Sequence, residues 1–273
     1  MKILAYHKVK DKSRFEDQIR YLQKKYRFIS PNELGTELKE ISQSKEDTVL
    51  LTFDDGDKSI FVNALPILKK YRVPAIVFVI TDLINTNKPF WWDEILYYLG
   101  AKEGNAKIWE VKTWPNKQRE NYILQLRENT VKPRLEWPQL TTEELNEIQE
   151  NGIVIGNHSH THPMFDQCTD IELEKELNQS NKILTSLGFS PEYFAYPNGN
   201  SSDKTETKLR ESGVQFAFLF DHKINKSNKN LLNISRLKVN DSTPLWKFKF
   251  ILSGLHSKIL PFTRFTGKIL RKI

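Results

Sequence analysis

Apolar residues in this chain fall in short runs that alternate with segments of mixed polarity. Seven of the runs are rich in β-branched and aromatic residues, which predicts β-strands. They span residues 2–6, 48–53, 74–80, 152–157, 192–197, 214–220 and 233–239. Several are apolar at consecutive positions, as expected for parallel strands that are covered on both faces.

The segments between these runs carry apolar residues at steps of three and four, the period of an α-helix. Helix starts are predicted where a capping residue opens such a segment. These residues are Ser13, Ser30 followed by Pro31, and Thr141 or Thr142 followed by two glutamates. Further helices are predicted over residues 170–187 and 203–212. Seven strands that alternate with helices indicate an α/β fold, either a (β/α) barrel or an open parallel sheet.

Residues 85–140 do not follow this alternation. The segment is too long for a simple connection between a strand and a helix, and it contains five of the six tryptophans. We interpret it as a subdomain inserted over one end of the barrel. Its aromatic side chains either pack the insertion or stack on sugar rings. The predicted domains are therefore a barrel over 1–241, which contains the insertion, and a tail over 242–273.

The net charge of +7 originates in the tail. Residues 242–273 contain seven Lys and Arg residues and no Asp or Glu. The rest of the chain has 34 basic and 34 acidic residues, so the barrel lacks the basic face that a nucleic-acid groove requires. The tail also contains Phe, Ile and Leu. Such a composition suits either an anionic membrane surface or a helix that packs on the barrel with its basic face in solvent.

The sequence also bears on the compartment. MKILAYHKVK, at the start of the chain, has only four or five apolar residues before charge returns, fewer than a signal peptide needs. No apolar run reaches the roughly 20 residues that span a bilayer. The single cysteine, Cys168, excludes an internal disulfide and agrees with a reducing compartment. We expect a cytoplasmic protein whose tail allows peripheral contact with the inner face of the membrane.

Two aspartates, Asp54 and Asp55, end the apolar run in the sequence LLTFDDGD. Consecutive residues at a strand end project to different sides, and Gly56 allows the chain to turn there. One carboxylate can therefore bind a metal ion while its neighbour takes a proton from water on that ion. A solvated turn would explain the aspartates alone, but it would not explain the histidines described next.

Three histidines lie within five residues in the sequence GNHSHTHP, directly after a predicted strand. The segment ends in Pro163 and is not expected to be helical, so the helical HExxH arrangement, whose glutamate is also missing, is excluded. His158 and His162, with a carboxylate from elsewhere, would form a two-histidine, one-carboxylate site for zinc or a similar divalent ion. The alternative is a polar loop with incidental histidines, although three of the six histidines fall here.

Three short sequences carry a resemblance to a known family. TFDDG (52–56), GNHSHTHP (156–163) and FAYPNG (194–199) each follow or end a predicted strand. In this order they resemble the signature motifs of the polysaccharide deacetylases of carbohydrate esterase family 4. The resemblance covers residues 1–84 and 140–240 and implies a distorted (β/α)7-type barrel.

The resemblance implies roles for the residues of these motifs. Asp54 corresponds to the catalytic base of the family, and Asp55, His158 and His162 correspond to the ligands of a divalent metal ion, with Zn²⁺ expected. His160 lies at a variable position between the two histidine ligands. The implied reaction is hydrolysis of the N-acetyl group of a sugar.

The third motif departs from the common family pattern, which has an arginine and a tyrosine at the positions of Ala195 and Asn198. That arginine normally orients the catalytic aspartate, and we expect Arg236, in the last predicted strand, to replace it. The tyrosine contributes its backbone N–H to the oxyanion. Asn198 can keep this role because every non-proline residue has that donor.

The usual C-terminal leucine-histidine motif is also absent. The sequence ILAYHKV near the start of the chain resembles it, and it also resembles the first strand of the poly-N-acetylglucosamine deacetylase branch, whose barrel is circularly permuted. His7 is then the expected general acid, because an amine leaves poorly unless it is protonated. The alternative is a histidine at a strand end whose ring is satisfied by hydrogen bonds.

The expected function is removal of N-acetyl groups from an N-acetylated saccharide, either a cell-surface polysaccharide or its precursor. Two other functions stay open. One is a carbohydrate-binding or scaffold protein without turnover, and the other is a metal-dependent hydrolase of another C–N or ester bond. The presence of Asp54 beside the three metal ligands argues against the first, since a binding module needs no base beside a metal.

Overall fold

A computed structural model describes residues 1–40, 46–226 and 230–255 of the chain. Within these residues the strands are β1 (Lys2–Tyr6), β2 (Arg27–Phe28), β3 (Thr48–Phe53), β4 (Ala75–Val79), β5 (Ile153–Asn157), β6 (Tyr193–Ala195), β7 (Phe216–Phe218) and β8 (Leu237–Lys238). All seven predicted strands are confirmed; β1 and β3 match their predicted ranges, and the other five are shorter than predicted. The sequence analysis missed β2, because two residues are too few to show an alternating pattern.

The strands form one parallel sheet in the order β7-β6-β5-β4-β3-β1-β8, and β2 pairs with β3. The chain segment that leads into β8 also contacts the opposite end of the sheet. Ile234 bridges to Phe218 of β7, and Leu237 pairs with Leu4 of β1. The sheet therefore curls into a distorted barrel, which confirms the predicted fold class and favours the barrel over the open sheet.

The helices are α1 (Lys12–Lys25), α2 (Leu34–Glu40), α3 (Leu65–Tyr71), α4 (Trp91–Leu99), α5 (Ala101–Val111), α6 (Asn116–Glu128), α7 (Thr142–Glu150), α8 (Asp170–Ser186), α9 (Asp203–Glu211) and α10 (Leu245–Leu252). Single helical turns lie at Pro31–Glu33, Ile60–Ala64, Thr81–Leu83, Phe165–Gln167 and Pro197–Gly199. None of the helices in the described ranges is long and apolar enough to cross a bilayer.

Most of the predicted helix starts are confirmed. Ser30 opens the turn that leads into α2, and Thr141, rather than Thr142, caps α7 by accepting a hydrogen bond from the backbone of Glu144. The prediction for α1 was wrong, because the helix begins before Ser13. Asp11 caps it, and its carboxylate accepts a hydrogen bond from Arg14 N at 3.0 Å. Asp and Ser are about equally good capping residues, so the pattern alone could not decide between Asp11 and Ser13.

The residues of β3 and β4 alternate between two apolar clusters. Odd-numbered residues such as Leu51 and Val77 pack under α1, α3 and α7. Even-numbered residues such as Leu50, Ile76 and Phe78 belong to a second cluster with residues of β6 and β7. Because side chains on a strand alternate between its faces, the second cluster lines the barrel interior. The alternation continues to Asp54, whose carboxylate is directed inward.

Helices α4, α5 and α6 fill most of the segment 85–140. Four of its five tryptophans are at least partly buried and pack in the insertion or on its neighbours. The exception is Trp109, which is 69% exposed. Packing therefore explains most of these aromatic residues. The division of the chain into a barrel domain and a tail stays a prediction.

The tail is described only as far as residue 255. Within it, α10 packs on the barrel through Phe248, Ile251 and Leu252, which are buried, and Phe248 contacts the ring of Tyr21 in α1. This part of the tail matches the interpretation of a helix packed on the barrel. Most of the basic residues that suggested membrane contact lie outside the described residues, and that contact stays a prediction.

Candidate metal centre and catalytic carboxylate

The candidate residues lie at the carboxyl ends of the barrel strands. Asp54 and Asp55 follow β3, His158 follows β5, and Asn198 lies in the turn after β6. His7 directly follows β1. In parallel α/β folds these strand ends meet at one edge of the sheet, where binding sites are usually found.

Asp55, His158 and His162 form a buried cluster. The Oδ1 atom of Asp55 lies 3.4 Å from His158 Nε2 and 3.7 Å from His162 Nε2. One candidate ligand atom from each residue lies within 4.8 Å of the others. The structure therefore brings together the three residues that the sequence analysis assigned to the metal.

The orientation of the two imidazoles fits a metal site. His158 Nδ1 lies 2.8 Å from the carbonyl oxygen of Ala195, so it donates a proton there and leaves Nε2 available as a ligand. A backbone partner of this kind is typical of metal-binding histidines. The Nδ1 atom of His162 is buried and has no hydrogen-bond partner within the described residues. Its Nε2 atom is the one that faces Asp55, so the ring presents this nitrogen to the cluster.

The charge states of the cluster also favour metal binding. Burial alone would raise the pKa of Asp55, but the hydrogen bond from His158 and the nearby imidazoles lower it below its usual value. Burial and the neighbouring His158 hold the pKa of His162 well below its usual value. Burial lowers the pKa of His158, but Asp55 and Asp54 outweigh this effect and raise the pKa above its usual value, so a metal ion would compete with a proton there. The cluster therefore offers an ionised carboxylate and one neutral imidazole, the forms that bind metals.

Asp54 and Arg236 form a fully buried ion pair with two contacts. Arg236 Nη1 donates to Asp54 Oδ1 at 2.6 Å, and Nη2 donates to Oδ2 at 2.8 Å. Arg236 also donates to the hydroxyl of Thr52 and to the carbonyl oxygen of Leu219. Burial would raise the pKa of Asp54, but Arg236 and His158 hold it below its usual value. Asp54 is thus kept ionised and fixed in orientation.

Several residues at this edge have strained backbones. Asp55, Ser159, His162 and Asn198 all have positive φ, at 71°, 68°, 55° and 58°. Only glycine adopts this region without strain, and such residues cluster at functional sites. Gly56 follows at φ 68°, and a Cβ there would lie 3.0 Å from Val79 Cγ1. The turn after β3 therefore needs its glycine, as the sequence analysis predicted.

A carboxylate in α8 organises the histidine loop. Glu176 Oε2 accepts hydrogen bonds from the backbone N–H groups of His160 and Thr161, both at 2.8 Å, and Oε1 accepts one from the Thr161 hydroxyl. The Ser159 hydroxyl accepts a hydrogen bond from His162 N at 3.0 Å. The sequence analysis missed Glu176, because nothing in the sequence links a helical glutamate to a loop more than ten residues earlier.

His160 does not belong to the cluster. Its Nδ1 lies 3.0 Å from the hydroxyl of Thr81.

The insertion covers the histidine loop. Trp91 Nε1 donates to the carbonyl oxygen of His162 at 3.2 Å, and the ring of Trp92 lies 4.8 Å from the His162 ring. These two tryptophans are further neighbours of the site that the sequence analysis did not assign.

His7 and Asn198 lie beside this centre. The ring of His7 packs edge-on against Phe220 at 5.3 Å. Burial lowers the pKa of His7, and the charges of Asp55 and Asp54 act in the opposite direction. The side-chain oxygen of Asn198 accepts a hydrogen bond from Lys112 Nζ at 2.9 Å. Lys112, which follows α5 in the insertion, was not among the predicted site residues.

The model of the polysaccharide deacetylase family matches residues 42–217. The chain belongs to the polysaccharide deacetylase family. The matched range contains both aspartates and both histidines of the centre, whereas His7 and Arg236 lie outside it. The family assignment agrees with the resemblance that the three motifs indicated.

Similar proteins extend the comparison over most of this polysaccharide deacetylase. The poly-beta-1,6-N-acetyl-D-glucosamine N-deacetylase of Staphylococcus aureus is 25% identical over 251 residues, which are 90% of this chain and 72% of the relative. The structure of IcaB from Ammonifex degensii matches with a TM-score of 0.67 and 22% identity, over 93% of this chain and 96% of that one. The Streptococcus pyogenes deacetylase PplD, solved with acetate, matches with a TM-score of 0.66 and 20% identity, over 92% and 97%. Both structures share the fold of this chain.

Proposed function

We propose that the chain is a metal-dependent N-deacetylase of an N-acetylated saccharide, a cell-surface polysaccharide or its precursor. One observation carries the proposal, namely that an ionised, oriented carboxylate lies directly beside a buried Asp-His-His cluster. The name of the relative from Staphylococcus aureus agrees with a substrate that contains N-acetylglucosamine.

Asp55, His158 and His162 would hold the metal ion, and zinc suits a site of two imidazoles and one carboxylate. When bound there, a divalent ion would polarise the acetyl carbonyl and lower the pKa of water from 15.7 to about 7. The remaining steps belong to residues of the chain itself.

Asp54 acts as the general base and takes a proton from the attacking water molecule. Arg236 keeps the carboxylate in one orientation through its two hydrogen bonds. In this role it replaces the arginine that the family pattern has at the position of Ala195. The oxygen of the water then bonds to the acetyl carbon.

Asn198 and His7 complete the proposed reaction. The backbone N–H of Asn198 stabilises the negative charge on the carbonyl oxygen. The C–N bond then breaks, and the nitrogen takes a proton from the imidazolium of His7 as it leaves. Because burial lowers the pKa of His7, its protonated form is a stronger acid than an exposed histidine. The products are acetate and a free amino sugar.

The deciding experiment combines metal content with acetate release from N-acetylglucosamine oligomers. We expect the wild type and His160→Ala to bind about one zinc per chain and to release acetate, since His160 lies outside the cluster. His158→Ala should lose both. Asp54→Asn should keep the metal and lose on the order of 10²–10⁴ in rate.

Other outcomes would change the proposal. Metal without acetate release would leave a metal site with another substrate, such as a different C–N or ester bond. An unchanged rate in Asp54→Asn would remove Asp54 as the base. Absence of metal from the wild type would leave a protein that binds carbohydrate without turnover.

A further inference from the structure

Two lysines lie near the turn that carries Asn198. Lys112 reaches it from the insertion, where its Nζ donates to Asn198 Oδ1 at 2.9 Å. Its ammonium group also lies 5.1 Å from the ring of Trp109, whose side chain is exposed. The insertion therefore delivers a positive charge and an exposed aromatic ring to the rim of the candidate centre.

The second lysine lies near the same turn, and Phe220 is the contact between it and Gly199. Lys238 Nζ lies 5.3 Å from the ring of Phe220, which also packs on His7. Phe220 in turn lies against Gly199, because a Cβ on Gly199 would clash with Phe220 Cβ. Lys112 and Lys238 thus both lie near the turn that would hold the acetyl group.

Neither lysine is neutralised by the protein. Within the described residues Lys112 and Lys238 take part in no ion pair, whereas Lys8 nearby is paired with Asp57 and Asp93. Burial lowers the pKa of Lys112, the charge of Asp55 opposes this effect, and Lys238 adds to it. Among the described residues, the acid whose charge acts on Lys112 is Asp55, a proposed metal ligand.

Among the described residues one further unpaired charge lies near this turn, since Asp166 accepts a hydrogen bond from Asn200 at 2.9 Å and pairs with neither lysine. Two lysines therefore stand against one free carboxylate. Arg236 neutralises Asp54 through two short hydrogen bonds, and a bound divalent ion would neutralise Asp55. The two lysines are then an excess of positive charge at the rim. A cleft with an excess of positive charge attracts a negatively charged ligand.

We propose that the saccharide substrate is anionic and carries a phosphate or carboxylate group close to the N-acetyl group, where Lys112 and Lys238 bind it. This inference rests on the proposed deacetylase function and narrows its substrate class. An ammonium group binds phosphate and carboxylate as a point charge. Lys112 and Lys238 are then specificity-determining residues, and the insertion contributes one of them.

The test compares three ligands that share their non-reducing N-acetylglucosamine residues and differ at the reducing end. That end is neutral in one ligand, carries a phosphate in the second and is an open-chain carboxylate in the third. These are tri-N-acetylchitotriose, its 1-phosphate and the aldonic acid made by oxidising its reducing end. We expect the full chain, loaded with zinc, to release acetate from the phosphate or the acid with a kcat/KM about tenfold above that of the neutral sugar at low salt. The preference should shrink as ionic strength rises, because salt screens the attraction. A larger effect for one of the two anions would identify the group.

Variants assign the preference to the lysines. Lys238→Met should lower kcat/KM for the anionic ligand about fivefold and leave the neutral ligand within about twofold. Lys112→Met should lower kcat/KM for both ligands, because Lys112 also holds the side chain of Asn198, but about fivefold more for the anionic ligand. Lys102→Met, an exposed position at the other end of α5, is the matched control and should change neither. Equal loss for both ligands in Lys112→Met would show a structural role and overturn the inference.

Failure of this inference is distinguishable from failure of the proposed function. Acetate release at equal efficiency from charged and neutral ligands would overturn the anionic substrate and keep the deacetylase. If no ligand releases acetate, calorimetry on the same three ligands decides, since binding needs no turnover. Equal affinities would then overturn the inference, and a preference for anions that is lost in Lys112→Met would support it.

Discussion

At the residue scale the most unusual feature is a fully buried arginine. Arg236 has no exposed surface and lies between the rings of Phe78, Phe218 and Phe220. Its charge is tolerated because Asp54 pairs with it at two points. Removing one partner of a buried pair leaves the other charge uncompensated, which is strongly destabilising.

We therefore predict that Arg236→Met lowers the free energy of unfolding by about 3–5 kcal/mol. The double variant Asp54→Asn/Arg236→Met should lose less than the sum of the two single variants, because no unpaired charge remains. Urea unfolding of the four proteins measures this coupling. Additive losses would contradict the prediction. Lys208→Met, which breaks only exposed ion pairs, is the control and should lose much less stability than Arg236→Met.

The same pair has a defined pH dependence. The pKa of Asp54 is lowered in the folded chain, and an unfolded aspartate has a pKa of about 3.9. The stabilisation from its ionised form is therefore complete above about pH 4 and is lost as pH falls through the lower folded value. In Asp54→Asn this acid-dependent part should be missing. Urea unfolding at several pH values from 7 downward checks the difference between the two slopes.

Cys168 offers a simpler residue-scale prediction. Burial raises the pKa of its thiol to about 12, and Glu172 and Glu176 act in the same direction. Because only the thiolate reacts, a thiol-specific chromogenic reagent at pH 8 should label the native chain far more slowly than the urea-unfolded chain. Equal rates in both states would show that this part of the chain opens readily.

The sequence analysis placed the candidate residues better than it placed their supports. The spacing of His158 and His162 predicted a metal site with a carboxylate from elsewhere, and the resemblance to the deacetylases assigned Asp55 as that carboxylate. Lys112 and Glu176 lie in ordinary helical segments, and nothing in those segments distinguishes them from solvated charges. Only the path of the chain shows that each reaches the strand ends.

At the element scale the histidine loop depends on α8. Glu176 accepts three hydrogen bonds from the loop and is itself buried. Without it, two backbone N–H groups lose their partner, and an unsatisfied buried donor costs about 1–3 kcal/mol. The loop then holds His162 less firmly in its strained conformation.

We predict that Glu176→Ala weakens zinc binding by about 10- to 100-fold, as for other groups that orient metal ligands. Glu176→Gln should be less affected, because its amide oxygen still accepts hydrogen bonds. Competition with a fluorescent zinc chelator gives the affinities. Glu174→Gln, on the same helix but in an exposed ion pair with Lys208, is the control. Equal affinities for Glu176→Ala and this control would show that the loop holds its shape without α8.

Element boundaries were predictable where a strand is long and continuously apolar. β1 and β3 match their predicted residues in full. The last strand does not, because its predicted range of 233–239 serves two partners. Its first part contacts β7 through Ile234, and only Leu237–Lys238 pairs with β1. This division between two partner strands arises because the barrel closes there, and no local feature of the sequence indicates it.

At the scale of the whole molecule the metal cluster joins distant parts of the chain. Asp55 lies after β3, His158 after β5, and His162 in a loop held by α8 and covered by the insertion. An ion bound by all three residues would bind the folded chain and only weakly the unfolded one. Binding of this kind raises the free energy of unfolding by RT ln(1 + [L]/Kd), about 2.7 kcal/mol at a metal concentration of 100 Kd.

We therefore predict that zinc raises the unfolding temperature of the wild type by about 5–10 °C and that a chelator reverses the shift. His158→Ala should show almost no shift, since two ligands remain. His160→Ala should behave as the wild type, because His160 contacts Thr81 and not the cluster. Thermal unfolding followed by circular dichroism, with and without zinc, measures all three proteins. A shift of equal size in His158→Ala would mean that zinc binds elsewhere, and the assignment of this cluster as the metal centre would then be wrong.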